Sequence, residues 1–373
     1  MKRKKILRIV LPAFVAVLNI LIVIHPSVAL NAARGGLLLW FNNVLPALLP
    51  FVIGANLLMA LGAVNFLGMF LSPVMKKLFK TSGRGGFALA MGLISGYPLG
   101  AKIVSEMRNR GELGKNDAQR LLGFTNNAGP LFILGAVAAG MFGSVALGYF
   151  LLAAHYLGSL CVGLLMRFYG KKRTKNDIQE NLQPIAVFSR PKEPFGQILG
   201  NAVKNAMETM VIVGGFMVLF SVISALLAQV GLFGFIAHPY STGAASGVIE
   251  MAGGIGLLSQ HGISRGIAAL VAAMVSFGGL SILFQSLNFI GKTDLSSVVY
   301  VLCKIAHGAI SGTLAFIAYP FFAQIIEQSQ AQTAFAPNAV RTLASSSIAF
   351  VITIAVLAVV CVIMALRIRK NRS

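Results

Sequence analysis

The feature that most constrains this chain is a series of apolar runs longer than twenty residues. An α-helix needs about 20 consecutive apolar residues to cross the hydrocarbon core of a bilayer. The 373-residue chain is 57% hydrophobic and only 11% charged, and such runs recur along its whole length. The sequence therefore predicts an all-α polytopic membrane protein.

Ten apolar segments account for most of the chain. Full spans are predicted at about 6–27, 44–66, 118–142, 145–169, 207–229, 265–290, 296–323 and 344–366. Two further segments, about 84–107 and 235–262, are rich in glycine and interrupted near the middle. Each is either a span or a re-entrant hairpin, which enters the membrane and returns on the same side.

Basic residues decide between these two options, because Lys and Arg in short loops stay in the cytoplasm. Basic clusters at 76–84 and 108–120 flank the first segment on both sides, so we expect a hairpin that enters from the inside. The second segment has few basic neighbours beyond Arg265, which suits entry from the outside. Both termini are then inside, and only Arg34, Arg265 and Arg341 are external. The net charge of +21 thus reflects topology rather than nucleic-acid binding.

The order of segments repeats along the chain. Each half reads span, re-entrant hairpin, interrupted span, span, with opposite orientation in the membrane, which predicts two inverted repeats. We assign 1–43 to an N-terminal span and an amphipathic interfacial helix, the latter covering about 30–46. The remaining boundaries are 44–169 for the first gate-like repeat, 170–194 for a cytoplasmic linker, 195–323 for the second, inverted repeat, and 324–373 for an external loop and C-terminal span.

Four interruptions fall at similar depth, two in hairpin tips and two in crossing spans. Non-helical backbone survives at membrane depth only where protein or a water-filled cavity covers it. Inverted-repeat carriers use such breaks to build a substrate site, and the half-helices that start there attract anions. The residues predicted to bind substrate are Ser95, Gly96, Tyr97, Pro98, Gly100, Asn126, Asn127, Gly129, Glu250, Ser276, Gly278, Gly279, Ser281 and Gln285. The structural alternative is close helix packing through small and polar residues.

Four ionisable residues in the apolar part of the chain are candidates for charge or proton coupling. Glu250, near the second hairpin tip, can take a proton or cation or accept hydrogen bonds from the ligand; alternatively it forms an ion pair with Lys304. Lys304 and His307 lie one helical turn apart and suit an anion or a proton relay. Lys102, one turn beyond Pro98, either attracts an anion or extends to the interface.

Other functional classes lack their sequence signals. The cysteines Cys161, Cys303 and Cys361 lie in apolar runs at unrelated spacings, which indicates neither a disulfide framework nor a zinc site. Enzyme motifs such as the nucleophile elbow, His-Glu-x-x-His and the P-loop are missing from the sequence, and His155 and Glu208 are interpreted as structural. We therefore expect no enzymatic activity, metal or cofactor, and partners limited to a small solute, the lipid bilayer and, as an open option, further copies of the chain.

Three motifs carry a resemblance to a known family. "ISGYPLGAKIVSEMRNRGEL", "FTNNAGPLFILGAV" and "SFGGLSILFQS" resemble the YlbJ-type sporulation integral membrane proteins of endospore-forming bacteria, over about Ala29 to Phe322. More distantly, the order of hairpins and broken spans is similar to the nucleoside-recognition or gate domain of concentrative nucleoside carriers. In those carriers the hairpin tips and the following breaks hold the ligand. Their acidic residue at the first tip is replaced here by "SGYPLGA".

The resemblance to YlbJ-type proteins implies movement of dipicolinate, a small planar dianion, from the mother cell towards the spore. It also implies a location in the bacterial cell membrane, namely the outer forespore membrane of the mother cell. We therefore expect an alternating-access transporter of a small anion. Two alternatives are open: transport of a nucleoside or another neutral polar solute, and a non-transporting structural role in spore assembly. Breaks that converge on a cavity favour transport, whereas breaks scattered over lipid-facing surfaces favour the structural role.

Overall fold

The computed structural model describes residues 2–61, 70–170, 193–233 and 240–335, and the regular elements in these ranges are all helical. This confirms the all-α prediction. The α-helices are α1 (Lys2–Ile24), α2 (Pro26–Leu39), α3 (Leu45–Ala60), α4 (Gly85–Ser95), α5 (Leu99–Asn109), α6 (Lys115–Leu122), α7 (Val145–Met166), α8 (Phe195–Gln229), α9 (Ser241–Ile249), α10 (Met251–Ser259), α11 (Arg265–Phe277), α12 (Gly279–Ile290) and α13 (Ser297–Phe335). Three wider, π-helical segments are π1 (Trp40–Val44), π2 (Met75–Phe79) and π3 (Phe132–Met141).

Four stretches within the described ranges are long and apolar enough to cross a membrane. They are α7, α8, the joined stretch Arg265–Ile290 and the Ser297–Ser329 part of α13. They agree with the spans predicted at 145–169, 207–229, 265–290 and 296–323. The helices Pro12–Ile24 and Pro26–Asn42 supply a fifth if they are counted as one span, but they are bent by 103°.

The other predicted spans are interrupted, short or outside the described residues. The span at 118–142 was predicted to be interrupted near Asn126, and the structure has this interruption: α6 ends at Leu122 and π3 begins only at Phe132. The span predicted at 44–66 contains α3, which is too short to cross alone, and its last residues lie outside the described ranges. The C-terminal span at 344–366 and most of the linker 170–194 lie outside the described residues. Residues 324–335, which the sequence assigned to the external loop, continue α13.

The helices from α2 through π1 to α3 pack along α8. Ala29 shares an apolar cluster with Leu226 near one end of α8, and the Asn56 side chain donates to the Ala202 carbonyl at 3.1 Å near the other end. Later residues of the first stretch contact earlier residues of α8, so the two stretches are antiparallel neighbours. The sequence predicted an interfacial helix over 30–46; the structure instead places this stretch beside an apolar span.

A second antiparallel pair joins α7 to α13. The Ser144 hydroxyl at the start of α7 donates to the Ile326 carbonyl at 3.1 Å. Further along, Gly158 lies against Ser311, so closely that an added Cβ atom would overlap its hydroxyl. The two helices therefore run in opposite directions, and the His155 and His307 rings meet next to the contact of Gly158 with Ser311.

At the first interrupted segment the chain folds back between α4 and α5. A Cβ atom added at either Gly92 or Gly100 would overlap the carbonyl oxygen of Thr125. These glycines lie on opposite sides of Gly96, and they can reach one atom only if the chain reverses direction there. Gly96 has φ +86°, a conformation open to glycine but costly for other residues.

The second interrupted segment folds back in the same manner between α9 and α10. A Cβ atom added at Gly254 would overlap the Cα atom of Gly247, and one added at Gly243 would lie 2.9 Å from the Leu258 side chain. These pairs are symmetrical about Glu250, the single residue between the two helices. Close backbone contact through glycine thus holds each of the two folded segments together.

Replacing Gly92 by alanine is expected to destabilise the protein, since the new methyl group collides with backbone that cannot move aside cheaply. The expected cost is about 1–3 kcal/mol, typical of overpacking. Thermal unfolding of the purified full chain in detergent measures it. Gly54→Ala is the matched control, because nothing lies within 4 Å of a Cβ atom at that helical position. Equal melting temperatures for the two variants would contradict the fold-back at Gly96.

Candidate substrate cavity

The four helix breaks meet in one region of the structure. The break at Gly96 packs on the break that follows α6, because a Cβ atom added at Gly96 would lie 2.8 Å from the Gly129 nitrogen. The break between α11 and α12 packs on the other folded segment, with a Cβ atom at Gly279 lying 3.2 Å from the Met251 nitrogen. The two tips also touch each other, because the Tyr97 hydroxyl donates to the Met251 sulfur at 2.9 Å. The breaks therefore converge rather than scatter.

A cavity of about 670 Å³ lies at this meeting point, within the size range of small-molecule sites. It is enclosed by π1, α3, π3, α8, α12 and the two tips. Six predicted site residues line it: Gly96, Tyr97, Gly129, Glu250, Ser281 and Gln285. The rest of the wall is mainly apolar, and Glu250 is the one ionisable acid or base among the described lining residues, apart from the Tyr97 phenol.

Glu250 is buried at the cavity wall and caps helix α10. Its Oε1 atom accepts from the Ala252 N–H at 3.1 Å and its Oε2 atom from the Gly253 N–H at 2.6 Å. The positive end of the helix favours a carboxylate in this position. The ion pair with Lys304 considered from sequence is not formed between these two described side chains, since the Lys304 ammonium donates to the Asn126 carbonyl at 3.0 Å.

Asn126 connects three elements behind the cavity wall. Its Oδ1 atom accepts from the Ala101 N–H at 3.2 Å, and its Nδ2 group donates to the Ser286 hydroxyl at 2.9 Å and to the Tyr300 hydroxyl at 2.7 Å. Both N–H donors are therefore used within the protein. The sequence predicted Asn126 as a ligand contact and the start of α5 as a free anion site. In the structure these two groups bind each other, because the Ala101 N–H at the start of α5 donates to the Asn126 side chain.

A buried histidine pair links the two halves of the chain. The His155 and His307 rings lie against each other, with centroids 4.7 Å apart and ring planes tilted by 31°. His155 Nε2 accepts from the Ala128 N–H at 3.0 Å, its Nδ1 atom lies 2.8 Å from the Ser276 hydroxyl, and His307 Nε2 lies 2.9 Å from the His155 carbonyl oxygen. We assign a neutral imidazole with Nδ1–H to His155, because a proton on its Nε2 atom would face the Ala128 N–H, which is itself a donor. His307 is assigned Nε2–H, because this atom faces the carbonyl oxygen of His155, an acceptor. The network supports structure, as the sequence indicated for His155.

The remaining predicted site residues stand outside the set that lines the cavity: Ser95, Pro98, Gly100, Lys102, Asn126, Asn127, Ser276, Gly278, Gly279, Lys304 and His307. Conversely, Asn42, Leu48, Phe132, Val213 and Met217 line the cavity without having been singled out. These five lie in regular helical stretches. Hydropathy does not distinguish a cavity wall from a core or lipid-facing position in such helices, so no sequence signal was available.

Polar contacts also join the two halves at the far end of α5. Arg108 binds Asp294 through two hydrogen bonds of 3.0 and 3.2 Å. Beside them the Gln119 side chain exchanges two hydrogen bonds with the Ser296 backbone, at 2.6 and 3.2 Å. Hydrogen bonding and charge from Arg108, opposed in part by burial and assisted by Lys115, lower the pKa of the Asp294 carboxyl. This surface connection holds the end of α5 and helix α6 against the loop after α12.

Comparisons with known proteins identify the family of the chain. Residues 41–160, from π1 to α7, match the family model described as Gate: Nucleoside recognition. This part of the chain is similar to a nucleoside-recognition gate domain, and the apolar helices together with the relative described next define an integral membrane protein. It is 33% identical over 345 residues to the sporulation integral membrane protein YlbJ of Bacillus subtilis (strain 168), covering 86% of this chain and 84% of the relative. The chain belongs to the family of that protein. No solved structure matches it significantly.

Replacing Asn126 by alanine is expected to destabilise the protein, because Ala101, Ser286 and Tyr300 lose a buried partner. A buried polar group left unpaired costs about 1–3 kcal/mol. The melting temperature of the purified full chain should therefore fall by several degrees. The control is Asn109→Ala at an exposed position of the same packing region, which should leave stability unchanged. An Asn126 variant as stable as the control would show that the side chain is free for a ligand.

Proposed function

We propose that this protein is a carrier that moves a small solute by alternating access, with the cavity between the two folded tips as its substrate site. One observation carries the proposal: four helix breaks, far apart in sequence, converge on one cavity and touch through Tyr97 and Met251. Broken helices converging near the middle of an apolar bundle are the arrangement by which carriers hold a solute. A purely structural membrane protein has no need of such a cavity.

The proposal includes two inverted repeats, each with a re-entrant hairpin, and both termini on the inside. A two-fold axis in the membrane plane requires equivalent helices to run in opposite directions. The antiparallel pairs α3 with α8 and α7 with α13 meet this requirement. His155 and His307, at equivalent places in α7 and α13, contact each other where such an axis would pass. One hairpin would then open the cavity to the inside and the other to the outside.

For the solute we propose dipicolinate, carried across the outer forespore membrane towards the spore. Two observations support it. The related protein is named for sporulation, and the mainly apolar cavity accommodates a flat aromatic ring. A dianion beside Glu250 is repelled unless that carboxylate is neutralised. A proton or cation taken up by Glu250 together with the solute removes the repulsion, so the site residue and the coupling residue are the same.

A nucleoside or another neutral polar solute is the second candidate. The family model that matches residues 41–160 is described by nucleoside recognition. The described lining of the cavity also contains neutral hydrogen-bonding groups, Asn42, Tyr97, Ser281 and Gln285, and no lysine or arginine. These groups suit a ribose and a base as readily as they suit a carboxylate.

Uptake by the purified full chain in proteoliposomes distinguishes the candidates. We expect saturable uptake of labelled dipicolinate that unlabelled dipicolinate inhibits and excess uridine does not. Uptake of uridine without dipicolinate would establish the nucleoside alternative. Uptake of neither solute, by protein shown to be folded and correctly inserted, would favour a structural role in spore assembly.

Glu250→Gln is expected to reduce dipicolinate uptake by about tenfold or more, because an intramembrane carboxylate that exchanges a proton or cation has no neutral substitute. The glutamine oxygen can still accept from the α10 backbone, so the fold should be retained; size-exclusion behaviour and melting temperature check this. Uptake should also lose its dependence on an imposed proton gradient. Glu193→Gln, at an exposed position, is the control. Wild-type rates and gradient dependence in the Glu250 variant would reduce this residue to a structural cap.

A further inference from the structure

A second cavity, of about 260 Å³, lies beyond the substrate cavity and has a different chemistry. We call it the vestibule and define it by Lys102, Ser105 and Thr209, which form its buried polar wall. Glu106, Glu208 and Lys292 also line it. Unlike the substrate cavity, it therefore contains lysine side chains.

The vestibule and the substrate cavity are successive sections of one path. Along α8 the substrate cavity ends at Val213 and the vestibule begins at Ile212. Along α12, Gln285 faces the substrate cavity, and Phe289, one turn later, faces the vestibule. Because both helices pass from one cavity to the other within a single turn, only a thin layer of side chains separates the two spaces.

Lys102 lines the vestibule. It is 5% exposed, and its Nζ atom donates to the Thr209 hydroxyl at 2.9 Å and lies 3.9 Å from the Glu106 carboxylate. The Thr209 hydroxyl in turn donates a hydrogen bond to the Asn205 carbonyl at 2.8 Å. An ammonium group has three N–H donors, so Lys102 can accommodate a further acceptor. Arg110, 3.8 Å from Glu106, competes for the nearest negative charge.

Ser105 is a second, independent indication of a ligand position. Its hydroxyl is buried and has no hydrogen-bond partner among the described residues. Leaving a buried hydroxyl unpaired costs about 1–3 kcal/mol, so proteins keep few such groups without a use for them. Ser105 lies three residues after Lys102 on α5 and therefore on the same face of that helix. Both groups border the vestibule.

We propose that the vestibule is a carboxylate-binding site on the solute's path, in which Lys102 turns from Thr209 to a carboxylate of the solute and Ser105 donates a second hydrogen bond. The inference rests on the proposed function and adds to it the positive charge that the substrate cavity lacks. Glu106 and Glu208 oppose Lys102, Lys292 and neighbouring Arg110, so the net charge is only slightly positive. Such a site attracts an anion and still releases it to the next section of the path.

Transport kinetics of the full chain in proteoliposomes test the vestibule. Lys102→Met should raise the KM for dipicolinate by about tenfold, as expected for a lost charge-assisted hydrogen bond. Ser105→Ala should raise KM by roughly threefold without lowering the melting temperature, because no existing hydrogen bond is removed. Lys204→Met, an exposed lysine of α8 that does not line the vestibule, is the matched control with unchanged KM. Wild-type KM in both vestibule variants would overturn the inference while leaving the carrier function intact.

A labelling measurement that needs no transport covers the remaining cases. In a chain whose native cysteines are replaced, Asn205→Cys, at an exposed position that also lines the vestibule, should react with a small charged maleimide, and dipicolinate should slow the reaction. Protection that disappears when Lys102→Met is added supports the site. Absence of protection by millimolar dipicolinate overturns it. If wild-type protein transports no dipicolinate yet the label is protected, the proposed substrate transport fails while the vestibule stands.

Discussion

The structure depends on how broken helices satisfy their backbone in an apolar bundle. Each break exposes N–H and C=O groups that would be costly next to lipid. Side chains supply the missing partners. Asn126 accepts from the N–H at the start of α5, His155 accepts from the Ala128 N–H, and Glu250 accepts from the first N–H groups of α10. Lys304 serves the carbonyl of Asn126. The polar residues of the membrane part are therefore first of all the means by which the chain can stop a helix there.

This requirement explains which predictions from sequence succeeded. Glycine, proline and asparagine interrupt apolar runs because they end or restart helices, so the positions of the breaks at Gly96, Glu250 and Gly278 could be read directly. The cost of uncovered backbone in hydrocarbon also predicted that the breaks lie together around one cavity. In both cases the sequence pattern and the physical cause are the same, which is why inference from one to the other was reliable.

The division of labour among polar residues could not be predicted. Asn126 and Gln285 both carry a side-chain amide beside a break. Asn126 is hydrogen-bonded to backbone and hydroxyl partners, whereas Gln285 lines the cavity. A capping role and a ligand-binding role call for the same residue types, and only the direction of the side chain separates them. The same is true of Lys304, whose charge is used by a carbonyl group and not by Glu250. The packing of 30–46 against α8 was missed because an apolar stripe fits a helix partner as well as a membrane surface.

The contacts between the two halves differ in strength from place to place, and this bears on how the cavity could change its exposure. At the tips the halves meet through a hydroxyl and a thioether sulfur, a weak acceptor. At the far end of α5 they meet through the paired hydrogen bonds of Arg108 with Asp294. The pKa of Asp294 is lowered, so its contribution is present above the carboxyl's ordinary pKa of about 4 and is lost only as pH falls through the lower folded value. The surface pair therefore stays ionised around neutral pH, and its exposure keeps its contribution small. Any response of transport to pH near neutrality must then arise from another group, and among the described lining of the substrate cavity Glu250 is the carboxylate positioned to provide it.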